Sequence, residues 1–582
     1  MLRITINGID VDLSEDISIQ MKLSNPAFTE SGFDEAYSYG FNLPKTSRNK
    51  SVLVKKELPI SISFNNYLLA KGLCSIKIGF KSFSIDFRNE GLDLRKKLEE
   101  INLKDIDAET IQIWDDTDTA TQRIDKWHDH MMNTTVVEAP EVGSHKFPHI
   151  QAFFNLSEDS EIWNRNITHG NNSLFINSYY NGLFEKNIGY DVAGYPNTEW
   201  KTTVSPCVRI QYIFDLMLQK LNLKVKSNAL ETVPEFMQMI HFSTLVLDYW
   251  YTQIDLGFPT RYNVHAASFN LIDFIPDLKG IDLMNMLNEL FGCISTSKDG
   301  MLKIQLKKDS FTKPFVDYSK FYTAEYTIDQ TDKKAFKFIY PIEYSEKNIL
   351  GDPKWSYTSD TTLGGFVWQL FNKHATFNVG KNESIEEKQL SYIPLMSIFD
   401  YNYITDRRRT RFVYPHGFVS SHYDVETFTG TDTFLIGLIR GVYPLYEVSA
   451  YKDRLVFENS NEFDEIDAKI GHEYKFGTCS IFANDSNSHL SVYQKEYLDY
   501  SRIADEITKT LHLPLHKILD IISWDEPNHI IKQRNLSFKG CVKEVNFTLY
   551  KNRVSPCSIK YAVVSNEADG DYNNDFNNDF LS

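Results

Sequence analysis

Phe274 to Leu306, FIPDLKGIDLMNMLNELFGCISTSKDGMLKIQL, is the stretch that decides the fold. Leu283, Met284, Leu287, Leu290 and Phe291 recur at helical spacing, so one face of the first half is apolar. Asp282 suits the first turn, where a side-chain oxygen can accept a free backbone N–H, and Gly292 stands where a helix closes through a left-handed residue. Beyond it, Cys293–Thr296 and Met301–Leu306 flank Asp299-Gly300, a tight-turn signal, and Leu302, Ile304 and Leu306 alternate with Lys303 and Gln305. The spacing predicts a helix feeding a hairpin, a packing and assembly unit. Leu283, Leu287 and Phe291 are its candidate subunit contacts.

Outward from this unit, the chain reads as α+β and mostly β: several small barrel- or sandwich-like domains with inserted helix–hairpin units. Its 582 residues correspond to about four domains, and 40 Phe and 32 Tyr suit strands. Leu2, Ile4 and Ile6 alternate, Asn7-Gly8 turns, and Ile9, Val11 and Leu13 alternate back. Further strands are expected over 58–90, with Asn65-Asn66 as a turn, and a short helix over Leu92–Leu98. These make an N-terminal β-rich hairpin domain, 1–110. Residues 111–204 show no consistent period and are taken as an irregular insertion or second β domain. An α/β helix–hairpin domain follows at 205–320, with a helix expected to start at Pro206 and carry Ile210, Ile213, Phe214, Met217 and Leu221. A β-rich domain spans 321–500, and a closing α/β domain 501–565 has helical spacing over 497–510, a strand around Pro514 and last strands at 539–550 and 557–564. A mobile polar tail, 566–582, repeats Asn-Asn-Asp-Phe.

Charge and composition narrow the function. A net charge of −17 argues against a protein that coats nucleic acid through a basic face. The six cysteines lack CxxC spacing and read as reduced core residues. Met1 leads directly into a strand, without a signal-peptide pattern, and no apolar run reaches the ~18 residues of a membrane helix. Synthesis and folding in the cytosol without stable membrane insertion is the expectation.

No catalytic constellation stands out. GxSxG, GxxxxGK[ST] and GxGxxG are all absent. Clusters such as Asp115-Asp116, Asp505-Glu506 and Asp525-Glu526 read as solvated charge rather than paired acids, and no enzyme or cofactor is expected. The weak metal candidates are His128, His130, His145 and His149. On a strand His128 and His130 would share a face, and imidazole nitrogens suit zinc, although the spacing matches no standard site. The run Arg407-Arg408-Arg409-Thr410-Arg411 would place Arg407, Arg409 and Arg411 on one strand face. That face could grip a neighbouring subunit's carboxylates, contact phosphate, or stand in solvent.

INGIDVDLSEDISI, followed by YSYGFNLPKTSRNKSVL, resembles the opening of hub- or tip-type tail proteins of Bacteroidetes phages and prophages. The likeness is carried by the "DLS" hairpin end and the "LPKT…N" strand over the first fifty residues. The order of later helix–strand units is similar to that of baseplate hubs. The resemblance implies a virion structural protein in the tail, a homo-oligomeric ring (trimer or hexamer), contacts with other tail proteins, and DNA only in passage through the lumen. Two alternatives stay open. One is a host-receptor or glycan-binding tail module, suggested by Trp and Tyr in 110–200; the other is a tail-borne cell-wall or polysaccharide hydrolase.

Overall fold

Leu2–Ile6 turns at Asn7-Gly8, both with positive φ, and meets Ile9–Asp10 as an antiparallel pair. In this computed structural model the described residues are the whole chain except 154–172, 185–203, 342–375, 403–406, 415–418, 421–433, 439–478, 482–487, 565–582 and gaps of one to three residues. They are mostly β, arranged in one large sheet and several small ones around two hydrophobic cores.

The large sheet has 14 strands. Glu57–Phe64, Tyr67–Ile78 and Ser82–Asn89 continue it from Leu2–Ile6, with Asn65 and Asn66 supplying the left-handed turn residues. Pro44 ends the short strand Phe41–Pro44, where a residue without a backbone donor interrupts no ladder. Ser18–Ser24 then pairs along its whole length with Leu536–Tyr550, from Ser18 opposite Tyr550 to Ser24 opposite Glu544. Cys557–Val563, Asp505–Leu511 and Tyr322–Asp329 extend it further, and Glu35–Ser38, Asn528–Gln533 and Val316–Asp317 make up the fourteen. Strands from both ends of the chain therefore share one sheet and one core, a joint that period-2 alternation within each segment does not reveal.

Gly280–Phe291 is the centre of the other core. The Asp282 carboxylate accepts the Lys279 N–H at 2.9 Å, and Gly292 closes the helix at φ +62°. A Cβ at Gly280 would come within 2.9 Å of both Ile101 and Met217, so glycine lets this helix meet its neighbours, Glu90–Glu100 and Ile210–Lys220. Cys293–Lys298 and Met301–Leu306 form the expected hairpin, and Lys224–Asn228 adds a parallel strand; the Asp299-Gly300 turn lies outside the described residues. Leu283, Leu287 and Phe291 are wholly buried in this core. They pack the chain's own interior and are not subunit contacts.

Four local expectations need correction. Pro206 precedes a strand, Cys207–Arg209, held between His145–Lys146 and Met239–His241, and the helix starts only at Ile210. Residues 120–132, within the stretch expected to be an irregular insertion or second β domain, form the helix Ala120–Met132, with Thr119 and Gln122 satisfying each other's backbone N–H groups at its start. The helix expected over 497–510 is Lys495–Ile503, after which Asp505–Leu511 is a strand; Ile507 and Leu511 sit four apart, a spacing that suits either period. Pro514 caps a helix, Leu515–Ile522, rather than lying in a strand. All six cysteines are buried and free, as expected. Among the described residues no helix is long and apolar enough to cross a membrane.

Candidate functional site

Of the histidine candidates, His130 and His145 come together. His130 lies on the Ala120–Met132 helix and His145 on a neighbouring strand, and their Nε2 atoms are 3.0 Å apart. Trp127, Phe147 and Phe269 pack their rings against the pair, and Ser144 Oγ lies 3.0 Å from His145 Nδ1. Burial lowers the pKa to about 4 for His130 and about 3 for His145. Both rings are thus neutral at physiological pH, and one N–H donates to the other's lone pair. His128 is on a helix, not a strand, so two residues turn it about 200° away from His130, and its Nδ1 sits 3.4 Å from Asp129. No group of three potential ligands forms among the described residues, and His149 lies outside them. The pair is a hydrogen-bonded core element.

Beside it, Lys146 is completely buried, a placement the sequence did not signal. Its Nζ donates to Glu138 Oε2 at 2.8 Å and to the carbonyls of Thr134 and Ala139, so the charge is paired and solvated by the chain. The sheet core has a comparable network. Tyr318 donates to Glu526 at 2.7 Å, Lys517 donates to the same carboxylate at 3.0 Å, and His529 stacks on Tyr318 at 3.9 Å and bonds Tyr561 at 2.9 Å. Each polar atom named here has its partner inside the fold.

Arg407, Arg409 and Arg411 do lie on a strand, Arg407–Tyr414, antiparallel to Met396–Asn402 with Arg409 opposite Asp400. Their side chains are outside the described part of the structure, as is most of the Trp- and Tyr-bearing stretch of 154–203.

Two surface features are better defined. At one end of the large sheet, Val54, Ile78 and Phe80 are 74%, 71% and 95% exposed. Val54 lies on a loop, Ile78 ends its strand and Phe80 sits in the turn that follows; the two segments adjoin, since Ile76 donates its N–H to the Lys56 carbonyl and Gly79 donates to that of Ser82 across the turn. Lys55, Lys56, Lys77 and Lys81 stand exposed around them, Lys77 paired with Asp86 at 3.2 Å. The result is an apolar prong in a basic ring on an otherwise acidic chain. The second feature is a cleft of about 610 Å³ where the large sheet, the three-stranded sheet of Lys224–Asn228, Met301–Leu306 and Cys293–Lys298, and the Leu515–Ile522 helix meet.

No family model matches the sequence, and no curated protein does. Among solved structures the chain is similar to the 43 kDa tail protein of prophage MuSo2 from Shewanella oneidensis, at 8% identity over 96% of this chain and 98% of that one, with a TM-score of 0.32. It is also similar to the tail protein from Neisseria meningitidis MC58 (8%, 96% and 95%, TM-score 0.30). Prophage tail protein gp18 from Listeria monocytogenes EGD-e gives 8%, 96% and 94%, with a TM-score of 0.30. All three are tail proteins, but likeness at this level carries no inference about this chain.

Proposed function

We propose that the chain is a structural protein of a phage tail, hub- or tip-like, whose copies associate around the tail axis. The observation that carries the reading is the prong of Val54, Ile78 and Phe80. Three large apolar side chains on one tip, ringed by lysines, form a surface whose burial needs a partner, and a second copy with net charge −17 offers the complementary sign. A head-to-tail contact of this kind, repeated with a rotation that closes, builds a ring around an axis. The resemblance of residues 1–53 to tail-protein openings supports the same role. The acidic balance would let DNA pass a lumen without being held.

The test is sedimentation and negative-stain imaging of the full chain beside a Phe80→Ser, Ile78→Ser variant. Closed, axially symmetric particles that dissociate in the variant are expected, with at least a tenfold weaker association. Particles unaffected by the double substitution, or a parent chain that stays monomeric at high concentration, would remove the prong from the assembly.

A further inference from the structure

The cleft beside the large sheet is apolar and basic at once. Leu68, Ile294, Met301 and Trp524 give it apolar walls, and Lys226 and Lys303 bring two cations on adjacent parallel strands, Lys303 standing opposite Ser227. The two carboxylates of the lining already have partners: Glu90 lies 3.6 Å from Lys71, and Asp520 lies 3.0 Å from Lys517. Apolar walls with two neighbouring lysines fit a short peptide that alternates acidic and aromatic residues.

The chain carries such a peptide. Residues 566–582, outside the described structure, hold five carboxylates, no Lys or Arg, and the tandem Asn573-Asn574-Asp575-Phe576, Asn577-Asn578-Asp579-Phe580. The point from which they depart is close to the cleft. Ala562, at the end of the last strand, pairs with Cys541; the adjacent Val542 carbonyl accepts Asn25 Nδ2 at 2.7 Å; and Asn25 lines the cleft. Val563 is thus about two strand spacings, roughly 10 Å, from the cleft wall. The twelve residues from Val564 to Asp575 can span about 40 Å. A tether that short holds the peptide at an effective concentration near the millimolar range, enough for a modest site to stay filled.

We propose that this cleft is the intramolecular docking site of the chain's own Asn573–Phe580 repeat. An Asp–Phe step sets its carboxylate on Lys226 and Lys303 and its ring among Met301, Leu68 and Trp524. The inference stands whether or not the chain builds a tail.

The experiment places a photo-crosslinking benzoylphenylalanine at position 576 or 580 of the full chain, irradiates it at low concentration, and maps the products by mass spectrometry. Cross-links within one chain to residues 294–303, 519–524 and 68–69 are expected. Their yield should fall at least fivefold in a Lys226→Glu, Lys303→Glu variant whose circular dichroism matches the parent, and recover when Asp575→Lys and Asp579→Lys are added. Both lysines sit on partly or fully exposed positions, so the variant keeps its fold. Cross-links scattered over the surface, cross-links only between chains, or yields indifferent to the charge reversal would each overturn the proposal.

Discussion

The two cores of this chain are assembled by opposite routes. The sheet core joins residues near the start, such as Ile19 and Ile62, to residues near the end, such as Leu549 and Ile559, with little from between. The helix-centred core draws mainly on the middle of the chain, packed around Gly280–Phe291. They also differ in what they bury. The helix-centred region encloses three histidines with depressed pKa values, His130 at about 4 and His145 and His241 at about 3, whereas the sheet core encloses His529, at about 4. One region therefore depends on joining distant segments, and the other on keeping imidazoles neutral.

The largest effect should come from separating the partners of the sheet. Residues 1–110 produced alone lack Leu536–Tyr550, the strand against which Ser18–Ser24 is zipped, and leave one side of that strand and part of its core uncovered. The fragment is expected to show no cooperative thermal transition by circular dichroism. A sharp transition would mean that the N-terminal strands form an independent domain, and the contrast between the cores would lose its basis.

Acid should then distinguish the regions. An unfolded histidine takes up a proton near pH 6.5, while the buried rings resist until about pH 3–4. The unfolded state thus binds more protons in that window, and stability falls as pH drops through it, by about 2 kcal/mol per ring at pH 5. With three such rings against one, hydrogen exchange at pH 4.5 should open amides in 120–147 and 207–241 before those of Leu536–Tyr550. His145→Leu should make the acid limb shallower; a variant with an unchanged limb would show that the pair is not what responds.

A smaller effect of opposite sign belongs to Glu289, on the central helix. Burial raises its pKa to about 7, against the pull of the Ser391 N–H and hydroxyl, both 2.7 Å from Oε2. A raised carboxyl favours the fold below its unfolded pKa, and that advantage is lost as pH rises towards 7. Glu289→Gln stays neutral and still accepts the Ser391 donors, so it should stabilise the chain by roughly 1–2 kcal/mol at pH 8 and very little at pH 5. Denaturant midpoints at the two pH values decide it, and a variant less stable at pH 8 would show that the carboxylate itself is needed.

Legibility in the sequence followed the range of the interaction. The Asn7-Gly8 turn, the Gly292 stop and the hairpin after it rest on φ preferences and on periods within one segment, and all were readable. Ile507 and Leu511, four residues apart, satisfy both a helix and a strand, and only pairing with Cys557–Val563 made them strand. The alternation of His128 and His130 fits a strand as well as a helix, and the Thr119–Gln122 cap with the burial of Ile124, Trp127 and Met131 makes the segment a helix. Of the sites, the apolar Leu283, Leu287 and Phe291 stripe was visible, but not whether it faced a neighbour or the interior. The prong and the cleft were not visible at all, because exposure depends on what other segments cover.

The mostly β class, the central helix and hairpin, the unpaired spacing of the cysteines and the acidic balance each follow from residue type or from periods of two and 3.6. Tertiary structure alone decided that the two ends of the chain share a sheet, that His130 meets His145, and that Lys226, Lys303 and Trp524 face one cleft. Those are contacts between residues from fifteen to hundreds of positions apart, fixed by which apolar faces bury each other, and no local pattern encodes that choice.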